Sequence, residues 1–436
     1  MRGEPDGPGS GVSPMTPQGA TITGIGLLTP VGRGVDEVFD ALCSGRSGLS
    51  RPPDGHPAAE SLEVGGFLPG PDDQWDPRTV APGPDANTLD RIVVLALLTA
   101  QDALADAGIE VGRDVDPGRI GVVVGGVGGM ATFERQVLAR GERGRAAVSP
   151  YLLTGILPNM PAARIAITHG IRGYSSSIGT ACASGAQAIA DGLRLIRENA
   201  ADVVLCGASE APLFPTFADT FGNARALARG WAEPTMASRP FDRQRNGFVL
   251  AEGAGLVVLE RTAHADARGA AGYADLVGWG ATTDAHHPTT PRPDGSGAAE
   301  CMRRALADAG AEPSGVDYVN AHGTGTKLGD VAEAAAIRTV FGGDTPPVSS
   351  TKALTGHMLG TSGVVEAVAS ALAVARGLAP PTYNLDDPDP ACAVEHITKA
   401  PLTACIGRSL SNSFGFGGQN VSLLFGPATT ATTRAR

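Results

Sequence analysis

Apolar residues along this chain come in short, dense runs. ATITGIG (20–26), RIGVVVGG (119–126), ADVVLCGASEA (201–211) and GFVLAEGAGLVVLE (247–260) are rich in β-branched residues. Such runs predict strands buried on both faces. Alanine-rich stretches with helical periodicity lie between them. In ASGAQAIADGLRLI, Ile189, Leu193 and Ile196 fall on one helical face. The alternation predicts an α/β fold with a mostly parallel sheet covered by helices on both sides.

The pattern also echoes itself. ALADAG occurs at 103–108 and again at 305–310, each time followed by an acidic residue, a proline turn and a strand-like run. ATITGIGLLTP is similar to ADLVGWGATTD, and FVLAEGAGLVVLE to SFGFGGQNVSLLF, in the same order. Chance could give one hexapeptide match; the ordered set favours a duplicated strand–helix half. The expected organisation is a disordered tail at 1–18, halves at 19–270 and 271–426, and a disordered tail at 427–436.

Composition narrows the function classes. The 436 residues are 42% hydrophobic and 18% charged, typical of a globular protein with a large core. A net charge of −11 argues against nucleic acid as a partner. The longest apolar run, Ile92–Leu98, is too short to span a bilayer, and the polar, Gly/Pro-rich N-terminus has no secretory h-region. Six scattered cysteines without a CxxC pair fit a reducing cytoplasm and exclude zinc-ribbon and dithiol-redox motifs.

Four stretches carry candidate chemistry. In GTACASG (179–185), Cys182 sits among small residues where strand gives way to helix. A helix N-terminus there favours thiolate and offers N–H groups to an oxyanion; a buried structural cysteine is the competing reading. VNAHGTGTKLGDVAEAAAI offers His322, Thr324 and Thr326 on a glycine loop, with Asp330 and Glu333 at a helix head. STKALTGHMLGTSGVVEA holds Lys352, His357 and Glu366, and SNSFGFGGQNVSLLF two phenylalanines in a glycine loop. A Cys–His hydrolase needs one imidazole. Two neutral imidazoles donating to one oxygen would stabilise an enolate, as decarboxylation of a malonyl thioester requires.

TACASG, NAHGTGTKLGDVAE, KALTGHMLG and NSFGFGGQN, in this order, resemble the β-ketoacyl-acyl-carrier-protein synthases, the type II enzyme most of all. The resemblance runs from about Thr21 to Phe425. It implies a thiolase-like αβαβα fold of two similar halves, usually dimeric. It further implies that Cys182 takes an acyl chain from an acyl carrier protein, with the N–H groups of Cys182 and Phe416 as oxyanion hole. His322 and His357 would bind the malonyl thioester oxygen during decarboxylation, and the carbanion would attack the acyl group to give a 3-oxoacyl product. Lys352, Asp330, Glu333 and Glu366 would hold the histidines and loops; Thr324 and Thr326 would bind phosphopantetheine; Phe416 would gate the site. Val127, Met130 and Phe221 correspond to acyl-pocket positions, and Arg225, aided by Arg143 and Arg145, to carrier docking. No metal and no cofactor beyond the carrier's phosphopantetheine is implied.

Departures from the family pattern occur at Asn246, Ala251 and TSG 361–363, all expected to affect packing only, and at Ala146–Ala147, where basic docking residues are common. The partner is expected to be a second identical chain, as in fatty-acid synthesis, or a homologous chain-length subunit, as in polyketide synthesis. A ketosynthase active only with that subunit is one alternative and a non-catalytic assembly partner another, the latter opposed by the presence of Cys182, His322 and His357. A thiolase is a third; Cys405 lies outside any thiolase-like glycine loop.

Overall fold

The computed structural model describes residues 20–70, 76–80, 83 and 86–434. The tail expected over 1–18 lies outside them. Ten strands and the short Gly32–Arg33 pair form one eleven-stranded sheet. In chain order the strands are β1 (Ala20–Thr29), β2 (Ile120–Gly125), β3 (Ser175–Ile178), β4 (Val203–Glu210), β5 (Gly253–Arg261), β6 (Ala274–Thr283), β7 (Tyr318–Asn320), β8 (Val348–Ser349), β9 (Ser409–Gly415) and β10 (Gln419–Pro427).

Two equivalent sets of five meet at the centre, where β1 pairs antiparallel with β6, Thr21 opposite Asp275. Outward from β1 the order is β5, β4, β2, β3; outward from β6 it is β10, β9, β7, β8. Pairing directions repeat as well: the two inner pairs of each half are antiparallel and the two outer pairs parallel. The sheet is therefore mixed rather than mostly parallel. Its returning strands come back beside their predecessors, β9 to β10 through a tight Gly417–Gly418 turn with both φ positive, and a hairpin can only be antiparallel.

The repeated hexapeptide has a packing explanation. A Cβ at Gly24 of β1 would lie 2.3 Å from the Ala103 carbonyl oxygen, and one at Gly278 of β6 would lie 2.5 Å from that of Ala305. Ala103 and Ala305 are the first residues of the two ALADAG copies, in helices α1 (Arg91–Ala107) and α5 (Ser296–Asp308). Each half thus needs a bare strand backbone under an alanine face so that helix and strand can touch. A register shift falls at the same place in both, between Ile22 and Gly24 and between Leu276 and Gly278.

Further helices that frame the site are α2 (Met130–Arg143), α3 (Met160–His169), α4 (Ser184–Arg197), α6 (Lys327–Phe341) and α7 (Gly360–Arg376). α4 and α7 touch each other and strands of both halves, forming a central layer, while α1 with α3 and α5 with α6 cover the outer faces. Every residue of α7 from Gly360 to Val374 is buried. At their crossing a Cβ on Gly185 would meet the Gly360 carbonyl oxygen at 2.4 Å. Two helices that follow β3 and β8, at corresponding places in the halves, are thereby brought together at their N-termini.

Two expectations about extent are corrected. The run 247–260 is strand only from Gly253; Gly247 has φ +143, and Phe248 to Glu252 form loop contacts instead. Residues 427–434 are placed rather than disordered: Thr432–Thr433 pairs with Ala271–Gly272, and Arg434 bonds Asp106 and the Tyr273 hydroxyl. Polar side chains, not apolar ones, anchor that segment, which is why hydropathy missed it.

Candidate active site

Cys182 lies in a single 3-10 turn, Ala181–Ala183, between β3 and α4. Ala181 before it has φ +49, a left-handed conformation costly for any residue with a side chain. Gly415 at the end of β9 makes the opposite wall, where a Cβ would be 2.5 Å from the Thr180 carbonyl oxygen and 3.2 Å from the Cys182 nitrogen. Only glycine allows the β9–β10 turn, with Phe416 at its tip, to come so close.

The second half contributes the imidazoles. His322 follows β7, and His357 follows β8 after a short helical turn, Lys352–Thr355. His357 Nε2 is 3.2 Å from Cys182 Sγ. The two imidazole rings meet edge to face, 5.4 Å between centroids. Cys182, His322, His357, Thr324, Thr326 and Phe416 line one cavity of about 410 Å³, whose wall also includes Phe221 and Arg225.

Burial, with the Lys352 charge nearby, holds both imidazoles well below their ordinary pKa, so both are neutral at pH 7. Burial also pushes the Cys182 thiol up to about 11, against the pull of Lys352 and of the Phe416 and Cys182 N–H groups. Desolvation thus opposes the expected bias towards thiolate. The same two N–H groups nonetheless face the sulfur, as an oxyanion hole requires.

The surrounding charges position this set. The Lys352 ammonium lies between the Glu366 carboxylate, a very close partner, and the His322 carbonyl oxygen. Its Nζ is also 3.5 Å from His322 Nδ1. The hydrogen bonds of Lys352 go to Glu366 and His322, while its charge also acts on Cys182. Glu333 accepts the His322 and Gly323 N–H groups at 2.8 and 2.7 Å. Asp330 accepts from Phe241 and Gly325 at 2.7 and 3.1 Å. Desolvation raises Asp330 to about 6 and Glu333 and Glu366 to about 7.

Other sequence-derived positions fall elsewhere. Val127 and Met130 are exposed and do not line the cavity: Val127 lies in the loop that follows β2, and Met130 is the first residue of α2. Arg143 and Arg145 lie at the end of α2, also away from the mouth where Arg225 stands. Ala251, one of the departures, donates its N–H to the His357 carbonyl oxygen at 3.0 Å. Asn246 lines the cavity and bonds Trp231 Nε1 and the Arg229 carbonyl.

Several contributors escaped sequence reading. Ser362 touches His357 Nδ1 at 3.2 Å, so the TSG departure reaches the site and not only the packing. Phe248 stacks edge-on against His357 at 5.3 Å. Arg245, fully buried, holds Asp330 at 3.3 Å and Asp389 at 2.8 Å and bonds the Thr326 and Lys327 carbonyls, fixing the head of α6. The buried Glu210 at the end of β4 is raised to about 8 by desolvation, and its Oε1 has no partner. Of these, only Ser362, within TSG 361–363, stood out in the sequence, and there only as a packing change. Among the described residues no group of three or more His, Cys, Asp or Glu could hold a metal ion, and no helix is long and apolar enough to cross a membrane.

Comparison with known proteins gives the same picture. A 3-oxoacyl-[acyl-carrier-protein] synthase 2 of Synechocystis sp. is 38% identical over 407 residues, 93% of this chain and 97% of that one. Among solved structures, a type II polyketide-synthase ketosynthase, in complex with its acyl carrier protein and bound to the hexaketide, superposes with TM-score 0.86 at 30% identity, covering 94% of this chain and 100% of that one. The ishigamide ketosynthase/chain length factor gives 0.85 at 31% identity, covering 94% and 99%. Residues 20–265 match the beta-ketoacyl synthase N-terminal domain and 273–386 its C-terminal domain. With its thiol supplied by the first of these domains and both imidazoles by the second, the chain belongs to the beta-ketoacyl synthase family.

Proposed function

We propose that this enzyme performs a decarboxylative Claisen condensation between an acyl group on Cys182 and a malonyl group on an acyl carrier protein. The observation that carries the reading is a cysteine sulfur 3.2 Å from one of two neutral imidazoles that meet edge to face in one cavity.

In the first stage Cys182 attacks the carrier thioester. The oxyanion faces the N–H groups of Cys182 and Phe416, the carrier thiol leaves with the proton, and the acyl chain stays on sulfur. In the second, the malonyl carboxylate leaves as carbon dioxide. The electron pair of the broken bond enters the thioester carbonyl, whose oxygen receives hydrogen bonds from His322 and His357. The carbanion then attacks the acyl–Cys182 carbonyl, the carbon–sulfur bond breaks with its electron pair going to sulfur, the 3-oxoacyl carrier leaves, and the Cys182 thiolate takes a proton from water to regenerate the thiol. A preorganised donor to such an oxyanion contributes about 3 kcal/mol. Carbon dioxide loss supplies the carbanion, so the sequence of steps calls on no cofactor beyond the carrier's phosphopantetheine, which Thr324 and Thr326 are placed to bind.

A second chain of this fold covers the β3 edge in this reading. β3 has one open side, and the exposed apolar side chains Phe133, Val137, Leu138, Leu153 and Ile167 lie on the helices near it. Covering that edge would also close the acyl pocket over Val127 and Met130. The six cysteines described are all free thiols, which suits the cytoplasm.

The test is a reconstitution with the purified chain alone. Acyl carrier and malonyl carrier are supplied, carbon dioxide and 3-oxoacyl carrier are measured, and Cys182 is examined by mass spectrometry. Product and an acylated Cys182 are expected. Acylation without product, restored by a homologous subunit, favours the ketosynthase that depends on a chain-length partner; absence of acylation overturns the proposal.

A further inference from the structure

Ser362 stands at the third position of α7, buried, with its hydroxyl between two groups. Its Oγ accepts the Met358 N–H at 2.9 Å and lies 3.2 Å from His357 Nδ1. A hydroxyl has one hydrogen and two acceptor sites. The Met358 N–H occupies one acceptor site, and among the described residues Nδ1 is the only acceptor shown for the hydrogen. We infer that Ser362 is a positioning residue that donates to His357 Nδ1 and so keeps the proton of this imidazole on Nε2, the nitrogen facing Cys182 and the bound thioester.

Lysine Nζ has hydrogens to give and none to accept, so Lys352, at 3.5 Å from His322 Nδ1, imposes the same tautomer on the other ring. The two imidazoles are thus set alike by different donors, an ammonium for one and a hydroxyl for the other. Both Nε2–H groups then point where the enolate oxygen forms. With the other tautomer, His357 would present a lone pair to that oxygen and repel it. A helix-capping role accounts for the Met358 contact but leaves the approach to Nδ1 unexplained.

The inference rests on the decarboxylating role proposed for the imidazoles, and the test separates the two. In the intact wild-type enzyme, the ¹⁵N shifts of the His357 ring, assigned by their loss in His357→Ala, are expected to show an unprotonated Nδ1 and a protonated Nε2. Ser362→Ala is expected to lower carbon dioxide release from malonyl carrier at least tenfold, mainly in kcat with KM retained. In a His357→Ala background the same substitution should change the residual rate by less than twofold, because its route of action is gone. A protonated Nδ1 in the wild type, or an equal loss in both backgrounds, overturns the inference and leaves Ser362 a capping residue. The ¹⁵N result stands even if Ser362→Ala fails to fold. A wild-type enzyme that releases no carbon dioxide overturns the proposed function, while the tautomer measurement still decides the assignment.

Discussion

The Nε2 of His357 and the Sγ of Cys182 are 3.2 Å apart, although 175 residues separate them in the chain. The contact is possible because α4 and α7 cross at Gly185 and Gly360, and each helix follows the strand end that carries one partner. In the proposed mechanism, His357→Ala removes one of two donors to the enolate. Malonyl decarboxylation should fall by 10²–10³, with the carrier KM little changed, as measured by carbon dioxide release at varied malonyl carrier.

The half-buried thiol gives a pH signature. With Cys182 at about 11, the thiolate fraction at pH 7 is small and grows about tenfold per pH unit until the pKa is reached. Alkylation of Cys182 by iodoacetamide should rise accordingly between pH 7 and 10. Lys352→Met removes a nearby positive charge that lowers this pKa and should slow alkylation further at any pH in that range. A rate already level at pH 7 would contradict the desolvated thiol.

Gly415 sets the distance between the Phe416 turn and the nucleophile. Gly415→Val puts a side chain where the Thr180 carbonyl oxygen and the Cys182 nitrogen now lie. The turn must move away, taking the Phe416 N–H out of the proposed oxyanion hole. Acyl transfer to Cys182 should fall by about 10², while the midpoint of thermal unfolding falls only modestly because the turn is at the surface. Mass spectrometry of acyl-Cys182 against time provides the measurement.

Glu210 links the site to stability. Its folded pKa of about 8 exceeds the ordinary 4.5, so between those values the folded chain binds the extra proton and stability falls as pH rises. The contribution is about 1.4 kcal/mol per pH unit over that window. Glu210→Gln keeps the shape and removes the titration. Its unfolding midpoint should decline less between pH 6 and 8 than that of the wild type, in urea melts across that range.

Arg225 is exposed at the cavity mouth, where an acidic carrier would approach. Arg225→Glu should raise KM for carrier-bound acyl groups several-fold and make it less sensitive to salt, with kcat retained. An unchanged KM would remove Arg225 from the docking surface. Arg143→Glu, away from the mouth, is expected to have no such effect.

What the order of residues determined is local and repetitive. The runs of β-branched residues specify strands wherever they are long enough to be buried on both faces, and the ALADAG copies mark helices that must lie on glycine backbones. Cys182, His322 and His357 were legible because each follows a strand and sits among small residues, a pattern with few purposes. Sheet direction was not legible, since a buried strand reads alike whether its neighbour is parallel or antiparallel. Nor was the ionisation of Cys182, which depends on desolvation by residues distant in sequence and so exists only once the halves close around it. The partners of Ser362 and Arg245 belong to the same class. A serine in an alanine-rich helix and an arginine in a loop carry no mark of what they will touch, because hydrogen-bond geometry is decided by the packing of α6, α7 and the loops between, not by the residues alone.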